Sequence, residues 1–102
     1  MGGANIYPAE AEQILVQHPG VLDVACIGVP NREMGEELKA LVMAKDPSNP
    51  PAPAELMAFC RERLSHFKCP RTAELVEDLG RTAMGKVNKR ALRAPYWVGH
   101  SD

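Results

Sequence analysis

The chain has 102 residues, of which 45% are apolar and 25% charged, and its formal net charge is −1. That length supports one domain with a single modest core and is too short for most complete enzymes that handle two substrates, while the balanced composition excludes disordered and fibrous classes. So slight a net charge gives no general attraction to nucleic acid or to an acidic membrane surface, and no nucleic-acid partner is expected.

No apolar run approaches the length of a membrane span, and Met1, Gly2 and Gly3 lack the basic and apolar regions of a signal peptide. No transmembrane segment is expected, and the cytoplasm is the default compartment. Cys26, Cys60 and Cys69 are odd in number and match no zinc or disulfide spacing, so reduced thiols are expected. Cys60, His66 and Cys69 can be drawn as a metal triad. Cys60, however, falls on the apolar face of a predicted helix and the other two lie beyond its end, which favours thiols acting as small hydrophobes and no metal site.

In chain order, Gly2, Gly3, Ala4 and Asn5 read as a backbone turn, and so abrupt a start reads as a piece of something longer. Pro8 suits the first turn of a helix whose buried face is Ala11, Ile14, Leu15 and His18, ended by Pro19 and Gly20. Two strands are predicted over residues 21–29 and 37–45, the second alternating Leu38, Ala40, Val42 and Ala44. The loop predicted at 30–35 between them implies an antiparallel hairpin. Four prolines in residues 46–53 remove backbone donors and make that stretch a surface connection.

A second helix is predicted over residues 54–65, with Leu56, Phe59, Cys60 and Leu64 on one side. A third strand follows at about 72–76, and a short last helix is expected over 88–94, stopping before Pro95. The expected fold class is therefore α+β, a small three-stranded sheet with a β-hairpin and two to three packed helices.

Between the last strand and the last helix, Gly80 and Gly85 bracket a loop that presents Lys86. Its spelling is superficially that of a phosphate-binding loop, but Val87 supplies no hydroxyl for magnesium, and the strands and long helix such a loop serves are missing. From Arg81 to Arg93 there are five basic residues, Arg81, Lys86, Lys89, Arg90 and Arg93, and no acidic one. The segment suits an anion, or else a solvated helix face balanced by Glu74, Glu77 and Asp78 upstream.

Four motifs in order carry a resemblance: Gly2, Gly3, Ala4, Asn5, Ile6, Tyr7 and Pro8 with Glu10 and Glu12; Val29 and Pro30 with Gly35 and Glu36; Phe67, Lys68, Cys69 and Pro70; and Gly85, Lys86 and Val87 with Arg90, Leu92 and Arg93. Together they resemble the carboxy-terminal subdomain of the acyl-adenylate-forming superfamily, which comprises AMP-forming acyl-CoA synthetases, luciferases and the adenylation domains of peptide synthetases. The ending Pro95, Tyr96 and Trp97 looks most like bacterial fatty-acyl and medium-chain CoA ligases.

The resemblance implies a ligase of fatty-acid metabolism that joins a carboxylic acid and ATP into acyl-AMP and pyrophosphate, then transfers the acyl group to coenzyme A. It implies that Lys86 is the catalytic lysine of adenylation, in a subdomain that swings over a large amino-terminal domain. Gly2, Gly3, Ala4 and Asn5 would face the pantetheine channel, with Gly85 in the lysine loop. Lys89 and Arg90 could meet the coenzyme phosphates, an expectation with no motif behind it. Magnesium would arrive with ATP and not be bound here. Partners are then the amino-terminal adenylation domain, the acid, ATP and coenzyme A, and the chain alone is expected to be inactive. The alternative is a free-standing interaction or regulatory module that docks on a separate adenylating domain. Two departures stand out: the family has proline where Gly80 stands and serine or threonine where Met84 stands.

Overall fold

Among residues 6–100, which the computed structural model describes, there are three helices and three strands. The helices are α1 (Pro8–Leu15), α2 (Pro53–Arg61) and α3 (Lys89–Trp97); the strands are β1 (Val21–Asn31), β2 (Gly35–Ala44) and β3 (Thr72–Leu75). The sheet order is β1-β2-β3. β1 and β2 form the expected antiparallel hairpin, from Val21 opposite Ala44 to Asn31 opposite Gly35. β3 runs parallel to β2, from Lys39 opposite Thr72 to Val42 opposite Leu75. A parallel neighbour requires a long return path, which α2 and a single 3-10 turn at His66–Lys68 supply.

The hairpin runs further toward its tip than expected, leaving only residues 32–34 as the turn. The reason is Asn31, whose Oδ1 accepts the N–H groups of Glu33 (2.9 Å) and Met34 (2.7 Å) and whose Nδ2 donates to Glu37 Oε1 (2.6 Å). An asparagine that satisfies the backbone in this way replaces several residues of loop. Gly35, at φ +82°, then reverses the chain into β2.

Alternation along the strands divides the interior into two layers. Val24 and Cys26 of β1 with Leu38, Ala40 and Val42 of β2 pack under Ala11 and Leu15 of α1 and Leu56, Met57 and Cys60 of α2. On the other face, Ala25, Ile27, Val29 and Leu41 meet Leu79, with Val87, Leu92 and Tyr96 partly buried against them. His18, just past α1, is buried and joins the helices: its Nε2 donates to Glu55 Oε2 (2.8 Å), while Nδ1 accepts Gly20 N–H (2.9 Å). All three cysteines are buried free thiols. Burial, with the Glu12 charge nearby, raises Cys26 far above the ordinary thiol range, and burial together with a hydrogen bond that the Cys60 thiol donates to Cys69 pushes Cys60 up to about 12.

Two helix ends differ from expectation. α2 stops at Arg61 and not near Ser65. The N–H groups of both Arg63 and Leu64 turn back to Cys60 O, and Ser65 is extended (ψ 140°), so the chain leaves the helix to make the 3-10 turn. α3 does not stop before Pro95 but runs through it to Trp97. A proline there forfeits the bond to the carbonyl of Ala91, and both residues are exposed, so water can take that carbonyl. The last turn is held from outside the helix: Tyr96 Oη donates to Glu74 Oε1 (2.7 Å) and Trp97 Nε1 to Gly28 O (2.9 Å). Burial and that bond to Glu74 push the Tyr96 hydroxyl up to about 12.

Candidate functional site

Lys86 sits between two fixed points. Leu79, 2% exposed, and half-buried Val87 both belong to the layer beneath α3, and the loop between them, residues 80–86, is exposed throughout. Gly80 (φ +70°) and Gly85 (φ +84°) adopt backbone angles that other residues rarely tolerate, and a Cβ at either would meet open space. The left-handed turn, and not crowding, is therefore what demands glycine at these two positions.

The loop is closed by its own backbone. Thr82 N–H donates to Lys86 O (2.8 Å) and Gly85 N–H to Thr82 O (2.8 Å), while the Thr82 hydroxyl accepts Lys86 N–H (3.2 Å). Asp78 Oδ1 accepts Gly80 N–H (3.1 Å) at the entrance. Met84 stands 86% exposed at the tip, so its side chain contributes nothing to holding the loop.

Arg81 fastens this loop to the sheet. Its Nε and Nη2 donate to the two oxygens of Asp23 on β1 (2.6 and 2.8 Å), and its Nη1 donates to Gly85 O (2.6 Å). The hydrogen bond from Arg81, aided by the Val24 N–H and opposed by partial burial, holds the Asp23 carboxyl below the usual carboxylate range.

The basic run proves to be largely neutralised, and by acids other than those expected. Arg81 pairs with Asp23 (2.6 Å), Lys89 with Glu12 of α1 (2.7 Å) and Arg93 with Glu36 of β2 (3.0 Å). Glu74 serves Lys39 and Tyr96 instead. Lys89, Arg93 and Trp97 repeat at every fourth position, so one stripe of α3 supplies three of its polar ties to the rest of the domain, and Tyr96 beside it supplies the tie to Glu74. Lys86 and Arg90 are the two members of the run with no ion-pair partner among the described residues, and both are exposed. A free ammonium on a fixed loop can meet an anion without first leaving a carboxylate; Lys89 would have to release Glu12.

Gly2, Gly3, Ala4 and Asn5 lie outside the described residues. The chain enters at Ile6 and Tyr7, which line an open cleft of about 490 Å³ together with Phe67, Lys68 and Arg71. Lys68 ties this region to α1 through Glu10 (3.2 Å), and the Phe67 ring stays 68% exposed. Among the described residues no group of three His, Cys, Asp or Glu side chains is placed to hold a metal, and no helix is long and apolar enough to cross a membrane.

Sequence reasoning missed Asp23. Its signal was present: it is the one charged residue in the apolar run that becomes β1, a position where a charge needs a partner.

The fold and the loop together define a class, a small α+β domain that offers one uncompensated lysine on a loop stapled to its sheet. The chain matches the AMP-binding enzyme C-terminal domain over residues 10–86, and it belongs to that family. It is 48% identical over 92 residues to a 3-[(3aS,4S,7aS)-7a-methyl-1,5-dioxo-octahydro-1H-inden-4-yl]propanoyl:CoA ligase of Rhodococcus jostii, a match covering 90% of this chain and 18% of that one. It is 41% identical over 93 residues to a long-chain-fatty-acid–CoA ligase of Escherichia coli, covering 91% and 16%. A solved structure of a Mycobacterium tuberculosis fatty acyl CoA synthetase superposes with a TM-score of 0.84 at 35% identity, over 98% of this chain and 20% of that one. The chain thus spans less than a fifth of the length of these two curated relatives.

Proposed function

We propose that this chain is the carboxy-terminal, swinging domain of an ATP-dependent, AMP-forming acid–thiol ligase that activates fatty acids in the cytoplasm. A large amino-terminal domain holds the carboxylic acid and ATP, with magnesium carried on the nucleotide. Lys86 enters that shared site during adenylation. Its ammonium lies between two anions, the acid and the reacting phosphate, where it lowers their repulsion and stabilises charge that develops in the transition state. A compact point charge on a long stem fits this role.

After pyrophosphate leaves, rotation of the domain withdraws Lys86 and brings the turn at Gly2, Gly3, Ala4 and Asn5 to the pantetheine channel, where the thiol of coenzyme A displaces AMP from the acyl-AMP. The cleft that begins at Ile6 and Tyr7, immediately after that turn, supports this placement. Arg90, exposed and without an ion-pair partner among the described residues, suits a coenzyme phosphate better than Lys89 does.

The observation that carries the reading is the state of Lys86: exposed, without an ion-pair partner among the described residues, and held by a closed loop in a chain of this family. The test uses the full-length ligase that contains this domain, with Lys86→Ala assayed in two half-reactions. Acid-dependent ATP–pyrophosphate exchange should fall by roughly a hundredfold or more, the scale of one electrostatic contact. Thioester formation from pre-made acyl-AMP and coenzyme A should persist. Unchanged exchange would reduce Lys86 to a surface residue, and acyl-CoA formation by the 102-residue chain alone would show that the domain does not need its partner.

A further inference from the structure

We propose that Arg81 is the positioning residue for Lys86, acting through the carbonyl of Gly85 and anchored on Asp23; the proposal rests on the reading of Lys86 as the adenylation group. An exposed loop between two left-handed glycines has little of its own to fix it. The bonds among Thr82, Gly85 and Lys86 close the loop on itself but do not tie it to the sheet. Arg81 is the side chain that does. It grips both oxygens of a residue on β1 and, with its remaining terminal nitrogen, the carbonyl directly before the Lys86 N–H. Strand, carboxylate, guanidinium, Gly85 carbonyl and Lys86 backbone thus form one short chain of charge-assisted bonds, and a planar fork is the group suited to build it.

The rival role, in which Arg81 itself binds a substrate anion, fits poorly. Three of its five N–H donors already have short partners, and Asp23 neutralises its charge. Nor is the clamp a large contributor to folding, because ion pairs this exposed add little stability. Its consequence is geometric: it determines where the ammonium of Lys86 starts from when the domain closes.

The experiment compares wild type, Arg81→Ala, Lys86→Ala and the double variant of the full-length ligase in both half-reactions. Arg81→Ala should slow ATP–pyrophosphate exchange by roughly tenfold to a hundredfold, the cost of a small misplacement of a reacting group. It should leave thioester formation from pre-made acyl-AMP unchanged, which also shows that the domain is folded. The double variant should be no slower in exchange than Lys86→Ala, since a group that acts only through Lys86 has nothing left to position. Arg81→Lys should restore only part of the lost rate, and Asp23→Asn should reproduce the defect in weaker form.

The proposal is overturned if the losses multiply in the double variant, which would make Arg81 an independent substrate contact. Both half-reactions falling together would make the clamp a general structural tie and overturn it equally, as would normal exchange by Arg81→Ala. If Lys86→Ala alone leaves exchange intact, the underlying reading of Lys86 is what fails.

Discussion

The layer beneath α1 and α2 and the layer beneath α3 cover opposite faces of the same sheet by different means. In the first, Ala11, Leu15, Leu56 and Cys60 have no exposed surface, and apolar packing dominates the contact, with the bonds from His18 to Glu55 and from Cys26 N–H to Glu12 beside it. In the second, α3 has no buried residue, and its half-buried Leu92 and Tyr96 are supplemented by ion pairs and hydrogen bonds to Glu12, Glu36, Glu74 and Gly28. Apolar burial is strong but indifferent to direction, whereas each polar tie fixes a particular atom. The lysine loop grows out of the second layer, so the position of the Lys86 loop is set by directional contacts, and the α1/α2 layer supplies the stability beneath it.

Substitutions test that division. Leu56→Ala should destabilise the domain by about 2–5 kcal/mol, the range for deleting a fully buried leucine. Leu92→Ala should cost about 1 kcal/mol, in keeping with a side chain that buries only part of its surface. Urea unfolding of the two variants measures both, and equal losses would erase the distinction between the layers.

Gly28→Ala probes where the layers meet. A Cβ at Gly28 would overlap the Glu36 carboxylate, which would have to move and release Arg93. The expected cost is about 1–3 kcal/mol, and adding Glu36→Ala should recover part of it; no recovery would mean that the crowding lies elsewhere.

The smallest effect is the pH dependence of the Arg81 clamp. The Asp23 carboxyl lies below its ordinary range in the folded state. Its contribution is therefore fully present above the unfolded value of about 4 and disappears as pH falls through the lowered one. Wild type and Asp23→Asn should differ by less than about 1 kcal/mol at pH 7, and their unfolding midpoints should converge in acid. Midpoints that separate further as pH falls would contradict the clamp.

Much of this domain was legible beforehand because its signals are local. The alternation of Leu38, Ala40 and Val42 named a strand, and Pro8 named a helix start. The glycine pair around residues 81–84 marked the loop, and the four ordered motifs named the family. What escaped depends on partners distant in sequence. Pro95 reads as a stop, yet the helix continues because Glu74 and Gly28 hold Tyr96 and Trp97. Likewise, an excess of positive charge from Arg81 to Arg93 is visible in the sequence, but its cancellation by Asp23, Glu12 and Glu36 is not, since those acids lie more than fifty residues upstream.

Along the side of β1 that faces away from β2, Asp23 Oδ1 accepts Val24 N–H, Glu12 Oε2 accepts Cys26 N–H, and Trp97 Nε1 donates to Gly28 O. These are the groups through which another extended chain would dock. With them occupied, and with the opposite border of the sheet formed by the four-residue β3, neither margin offers a long open row of donors and acceptors. If the domain swings as proposed, parting from one surface and settling on another, it can thereby do so without recruiting a stray strand into its sheet.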